Sequence, residues 1–248
     1  MPKAILYDST LCIGCRACEG ACAERWGLPY NDKIANEERI SAHKLTTIEV
    51  HGDKFVRRLC MNCLQPACVS VCPVGALEKT ALGPVTYDSE KCMGCRYCMQ
   101  ACPFQVPSYE WSSRLPRMRK CDMCYDRQSH GKPTACAEAC PVGATKNGDR
   151  DALVAEARQR IAERPDQYYH RVYGLSEAGG TSVLYLSAVP FEQIGFRTTL
   201  PEEPLPMLTW RVLELLPDVV STGSVLLGGI WWITNRRAEV AKNDGRRR

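Results

Sequence analysis

The run Cys92-Met93-Gly94-Cys95-Arg96-Tyr97-Cys98-Met99-Gln100-Ala101-Cys102-Pro103 places four thiols in the spacing CxxCxxCxxxCP. Three thiolates so spaced close on one iron–sulfur cubane and the fourth reaches across to a second, so one run implies a partner run. The chain has four runs and no cysteine outside them: Cys12, Cys15, Cys18, Cys22; Cys60, Cys63, Cys68, Cys72; Cys92, Cys95, Cys98, Cys102; and Cys121, Cys124, Cys136, Cys140. Sixteen thiols in four quartets match four [4Fe–4S] clusters with no ligand left over. The chemistry is one-electron transfer, at potentials set by net charge, hydrogen bonds to sulfur and burial. Full ligation by cysteine leaves no vacant iron for catalysis, so no catalytic residue is expected. His43, His51, His130 and His170 sit in no ligand-like spacing and read as surface residues. No GxGxxG or phosphate-loop motif supports flavin or nicotinamide binding.

Two other uses of cysteine compete. An even count is compatible with disulfides, but thiols three apart in a tight turn converge on one metal centre. Structural zinc also uses CxxC pairs, yet it needs neither the third close cysteine nor the trailing Cys-Pro.

The elements that hold these runs must be short. In 248 residues, glycine takes 18 positions, proline 16 and cysteine 16, leaving a modest apolar core, so cluster ligation is expected to supply folding free energy. The formal charge is +4, with no basic run beside aromatic clusters in the cysteine-rich region, and nucleic-acid binding is not indicated.

Residues 3 to 7 read as a strand feeding the first cluster loop. Tyr7-Asp8-Ser9 precedes Cys12 as Tyr87-Asp88-Ser89 precedes Cys92, and Cys72-Pro73-Val74-Gly75-Ala76 returns as Cys140-Pro141-Val142-Gly143-Ala144. Duplicated ferredoxin-like units are the simplest source of both echoes.

The first quartet carries Ala23 where the others have proline, and an insertion, 23–59, follows. Within it, Leu45 to Val50 and Lys54 to Arg58 flank His51-Gly52-Asp53, which predicts a β-hairpin. The insertion reads as a lid or docking surface over the first cluster pair. The second quartet has a wider loop, Leu64 to Ala67, and the fourth a wider one, Tyr125 to Ala135, suited to the surface. From Asp149 the register changes. Asp149 or Asp151 is expected to cap a helix whose apolar face is Leu153, Val154, Ala157 and Ile161, ending at Pro165. Thr181 to Ser187 reads as a strand after Gly179-Gly180, and 188–209 as a proline-punctuated extended arm on the cluster domain or a neighbouring subunit.

The tail is a membrane-span candidate. Val212 to Thr234 is 23 residues, ~34 Å as a helix against a hydrocarbon core of ~30 Å. Glu214, Pro217 and Asp218 interrupt its start, leaving Val219 to Asn235 uncharged. Trp231 and Trp232 suit an interface belt, and Ser224 with Gly228 gives small-xxx-small spacing. An amphipathic helix buried against a partner is the alternative. Arg236, Arg237, Lys242, Arg246, Arg247 and Arg248 follow the span, so the positive-inside rule puts the C-terminus in the cytoplasm and the cluster domain outside. With the first ligand at Cys12 there is no room for a signal peptide, so export is expected to occur folded, with a signal-bearing partner.

The four quartets with their wide second and fourth loops, Cys102-Pro103-Phe104, Cys140-Pro141-Val142-Gly143-Ala144, Gly179-Gly180-Thr181 and the single C-terminal span resemble the iron–sulfur β subunit of membrane-bound formate dehydrogenases. Four-cluster subunits of hydrogenase-2-type enzymes are closely similar, as are, over the first 148 residues, those of dimethyl sulfoxide, polysulfide and nitrate reductase complexes. The resemblance implies an α+β fold of two duplicated, bacterial ferredoxin-like two-cluster lobes with a C-terminal arm and one membrane helix. It implies the ligand sets Cys12, Cys15, Cys18, Cys140; Cys22, Cys121, Cys124, Cys136; Cys60, Cys63, Cys68, Cys102; and Cys72, Cys92, Cys95, Cys98. It also implies relay between a molybdopterin or tungstopterin catalytic subunit and a membrane cytochrome b or other quinone-reactive subunit, with a nickel–iron hydrogenase or another respiratory reductase as the alternative terminus. The expected organisation is 1–148 for the four-cluster domain, 149–209 for helix, strand and arm, 210–235 for the span, and 236–248 for a basic cytoplasmic tail.

Overall fold

The computed structural model describes Met1 to Gly245; Arg246, Arg247 and Arg248 of the expected basic tail lie outside the described residues. Two compact units divide after Pro206.

In the first unit, β1 (Lys3–Asp8) runs into the first cluster loop and α1 (Ala17–Trp26) leaves it. The expected hairpin follows as β2 (Thr46–His51) and β3 (Lys54–Leu59), paired from Thr46 with Leu59 to His51 with Lys54, so Gly52 and Asp53 form the turn. The middle of the chain is built from very short pieces: α2 (Ala67–Ser70), β4 (Leu77–Lys79), β5 (Val85–Tyr87), α3 (Tyr97–Gln100), β6 (Ser108–Tyr109), β7 (Met118–Arg119), α4 (Tyr125–Ser129) and α5 (Ala135–Glu138). Then come β8 (Thr145–Asp149), α6 (Arg150–Glu163) and β9 (Val183–Leu186).

The main sheet has the order β8-β1-β9, with β1 antiparallel to β8 and parallel to β9. Strand alternation splits its side chains between two cores. Ala4 and Leu6 of β1, with Leu184 and Leu186 of β9, meet Leu153 and Ala157 of α6. Ile5, Tyr7, Val183 and Tyr185 face the other way, toward the hairpin, Cys18, Cys60, Cys121 and Cys136. The sheet therefore serves as the wall on which the cysteine loops are laid.

The segment after Asp149 shares this sheet and these cores with β1. The α6 face is the expected one, Leu153 and Ala157 buried with Val154 and Ile161 beside them. Asp149 stands at the N-cap, as expected, but its carboxylate makes no bond to the helix; it lies 2.8 Å from Lys3 Nζ across the β1–β8 pair. Residues 188–209 are expected to form an extended arm on the cluster domain or a neighbouring subunit; the part up to Pro206 lies with the first unit, but the chain turns at 191–194 where an extended run is expected. A 3-10 turn at Phe191–Ile194 buries Phe191 and Ile194, and Phe196 stacks against Tyr173 and Tyr185 at 4.6 and 4.8 Å between ring centres. Three buried apolar side chains in six residues outweigh the extending tendency of the prolines.

The second unit, from Met207 onward, is helical. The helix α7 (Leu205–Leu213) enters it, and α8 (Leu216–Gly245) starts one residue before Pro217, where a missing amide is tolerated. At 30 residues α8 is ~45 Å long, and the 205–242 stretch is long and apolar enough to cross a membrane. Its Val225, Leu227, Trp231 and Trp232 side chains are exposed.

Candidate metal centres

The sixteen cysteines form no disulfide. Cys12, Cys15, Cys18 and Cys140 line one cavity, closed by Tyr7, Ile13, Ile48, Val142 and Thr145. Cys72, Cys92, Cys95 and Cys98 line another, closed by Leu77, Tyr87, Met93 and Tyr109. Burial pushes the Cys121 thiol up, and Cys22, Cys124 and Cys136 add to the shift. Cys60, Cys63, Cys68 and Cys102 are related in the same way. Among the described residues no three His, Cys, Asp or Glu side chains lie at the spacing that holds a single metal ion.

Local backbone explains how the loops make such cups. Arg16 and Arg96 each occupy the left-handed region, with φ 58° and 65°, between the second and third cysteines of their runs. This turns the chain so that the third cysteine faces back toward the first two. The two arginines are held differently. Arg16 bonds Glu19 Oε1 at 2.6 Å and the carbonyls of Ala35 and Ile48 at 2.9 and 2.8 Å, all but the first supplied by the insertion. Arg96 stacks over Trp111 at 4.5 Å. Gly14 explains itself: at φ +71°, an added Cβ would lie 2.4 Å from the ring of Phe55, so the hairpin packs directly on the first cysteine loop.

The cups repeat. The amide of Ala76 donates to Cys72 Sγ at 3.2 Å and that of Thr145 to Cys140 Sγ at 3.4 Å. The Asp8 amide bonds Ala144 O and the Asp88 amide bonds Ala76 O, both at 2.8 Å. Tyr7 pairs with Thr145 between β1 and β8, as Tyr87 pairs with Leu77 between β5 and β4. Further amides donate to sulfur from Met123 to Cys121 at 3.3 Å and from Ala135 to Cys124 at 3.5 Å.

The donor set is all sulfur, which suits iron–sulfur clusters. Burial pushes the thiols of Cys18, Cys22 and Cys68 up to about 12 and that of Cys124 to about 11. Such thiols give up their protons only to a bound cation, so loading iron here releases protons. Two cysteines run the other way. Burial opposes the Cys136 thiolate, but the Arg57 guanidinium and the Thr134 hydroxyl at 3.4 Å outweigh it and lower its pKa. Burial also opposes the Cys72 thiolate, where the backbone N–H groups of Ala76, Val74, Leu77 and Gly75 win.

Several residues near the sulfurs had no signal in the sequence. Arg57 is 1% exposed although it sits on a hairpin strand where a cation reads as solvent-facing. Lys120 is buried beside Cys121, and Lys79 is lowered to about 8, first by burial, while Cys63 and Cys60 act to raise it.

Comparison with known proteins bears on these sites. Residues 52–150 match the 4Fe-4S dicluster domain family. The chain is 39% identical over 254 positions to a protein of Nitratidesulfovibrio vulgaris, covering 97% of this chain and 69% of that one. It is 36% identical to the hydrogenase-2 operon protein HybA of Escherichia coli O157:H7, covering 77% and 71%. It is 34% identical to the formate dehydrogenase iron-sulfur subunit of Haemophilus influenzae, covering 92% and 77%.

Proposed function

Because the chain belongs to the family of 4Fe-4S iron–sulfur subunits that includes HybA and the formate dehydrogenase iron-sulfur subunits, we propose that it relays electrons through four [4Fe–4S] clusters between a molybdopterin or tungstopterin formate dehydrogenase subunit and a membrane cytochrome b that exchanges them with quinone. It is an electron-transfer subunit of an oxidoreductase complex, not the catalytic one. When bound, each such cluster takes up and gives back one electron.

The observation that supports the reading is that Cys12, Cys15, Cys18 and Cys140 line one cavity and Cys72, Cys92, Cys95 and Cys98 another. We assign Cys12, Cys15, Cys18 and Cys140 to cluster 1; Cys22, Cys121, Cys124 and Cys136 to cluster 2; Cys60, Cys63, Cys68 and Cys102 to cluster 3; and Cys72, Cys92, Cys95 and Cys98 to cluster 4. Clusters 1 and 2 form one lobe and clusters 3 and 4 the other. The matching Asp8–Ala144 and Asp88–Ala76 backbone bonds, and the matching strand pairs beside them, support descent of the lobes from one duplicated unit. Close approach within a lobe is supported by the electrostatic influence of Cys136 on Cys18 and of Cys98 on Cys68.

The residues of the chain shield and aim the sulfurs. Buried Tyr7, Ile48 and Tyr109 keep water off two cups, and backbone amides point at Sγ. The first and fourth cups open at the surface: Cys15 is exposed, as are Ile13 beside it and Met93 and Tyr97 on the other lobe. We assign these apolar openings to the two docking faces of the wire. The 205–242 helical stretch supports anchoring at the membrane, and Arg236, Arg237 and Lys242 after the apolar stretch favour a cytoplasmic C-terminus with the cluster lobes outside.

HybA supports a second terminus, a nickel–iron hydrogenase, with other respiratory reductases behind it. Copurification from membranes separates the readings. The chain is expected to resist salt extraction, to come off in detergent, and to carry molybdenum or tungsten with it. Nickel in the complex would replace the formate dehydrogenase reading with the hydrogenase one, and release by salt alone would remove the membrane span.

A further inference from the structure

The insertion 23–59 packs against the first cysteine loop and also carries a buried cation, Arg57, into the first unit. Arg57 lies on β3 opposite Ile48, one of the residues that close the first cup. Its Nε donates to Thr46 Oγ1 at 2.9 Å and its Nη1 to Thr145 Oγ1 at 3.3 Å. Thr145 in turn lines the first cup and donates its amide to Cys140 Sγ. Against the cost of burial, Cys136, Cys18 and Cys121 favour its charged form. The side chain therefore stands at the wall shared by the two cups of one lobe.

A buried guanidinium is normally matched by a carboxylate, since an unmatched charge in the interior is strongly disfavoured. Among the described residues no carboxylate pairs with Arg57. Glu19, the buried acid beside Cys18, is taken by Arg16 at 2.6 Å and by Lys44 at 2.7 Å. What remains to balance Arg57 is the negative charge of iron-bound thiolates on both sides. The second lobe meets the same need with lysines: Lys120 and Lys79 are held by carbonyls near Cys60, Cys63 and Cys68.

We propose that Arg57 is a fixed counter-charge shared by clusters 1 and 2, which raises both of their reduction potentials, and that supplying it is a function of the 23–59 insertion. Adding one electron to either cluster adds negative charge beside an immovable cation in a poorly screened interior, so the reduced form is favoured. Arg57 acts here as a positioning residue for charge. The proposal rests on the ligand sets assigned above.

Its test uses the full chain, purified anaerobically in detergent, with Arg57→Gln, Arg57→Met and Arg57→Lys. The Gln and Met variants should keep the iron content of the parent, while redox titration followed by paramagnetic resonance shows clusters 1 and 2 harder to reduce. The expected loss is at least about tenfold in the reduction equilibrium, ~59 mV for a one-electron couple. Clusters 3 and 4 should not move, and Arg57→Lys should recover most of the loss. Iron-replete Gln or Met variants with unchanged potentials would overturn the proposal, leaving Arg57 a tie between Thr46 and Thr145. Loss of iron in both would overturn it too, since the cation would then serve assembly. A parent chain that itself lacks four clusters would instead sink the ligand assignment, an outcome read before any variant is made.

Discussion

Replacing Cys140 by Ala is expected to extinguish the paramagnetic signal of the cluster on Cys12, Cys15 and Cys18, and to leave that of the cluster on its nearer sequence neighbours Cys121, Cys124 and Cys136. The expectation follows from where Cys140 sits. It closes the cup of the first cysteine loop, and it reaches that cup because β8 runs antiparallel along β1 with Thr145 opposite Tyr7. The strand pair thus brings the two ends of the cluster region to one wall. Cys22 makes the reciprocal crossing from α1 toward Cys121 and Cys136. The size of the effect is a whole cluster, about four irons per chain. Loss of the Cys121, Cys124 and Cys136 signal alone would reverse the ligand sharing. Because cubanes in one lobe are close, a modest shift in the surviving partner is compatible with the prediction.

Stripping iron from the full chain with a chelator under argon is expected to abolish the cooperative unfolding of the first unit. The elements between the hairpin and β8 are too short to stand alone: helices of four or five residues and strands of two or three are below the length at which either is stable in water. Cys18, Cys60, Cys121 and Cys136 are themselves members of the larger core, so iron bound by their loops would hold that core as well. The smaller core between α6 and the sheet is purely apolar and does not depend on sulfur directly. Far-ultraviolet helix signal from α6 and α8 should therefore outlast the near-ultraviolet signal of the Tyr173, Tyr185, Phe191 and Phe196 cluster. An iron-free chain that melts with unchanged midpoint and near-ultraviolet spectrum would show that the fold does not need its metal.

What could be read from residues alone was whatever depends on short-range rules. The hairpin around Gly52, the strand before the first loop, the α6 face and the strand after Gly180 all followed from local pattern. Long-range choices did not. Asp149 was available both to cap α6 and to meet Lys3, and only the β1–β8 register decides for Lys3. Phe191, Ile194 and Phe196 lie among prolines that speak for an extended arm, but a core formed by Tyr173 and Tyr185 was waiting for them. Nothing in a single strand says that β9 will join β1 in parallel. Arg57 is the clearest case. The alternation of β3 puts it on the same face as Phe55 and Leu59, yet a cation among alternating residues reads as solvent-exposed until the thiols that balance it are placed across from it.

In the proposed wire, sixteen thiols hold four one-electron centres. Anaerobic reductive titration of the purified full chain, with iron and sulfide assayed on the same sample, tests that directly. About sixteen irons per chain and four electrons taken up in one-electron steps, each with a cubane signal, are predicted. A colourless chain, or one that binds zinc and accepts no electrons, would contradict it.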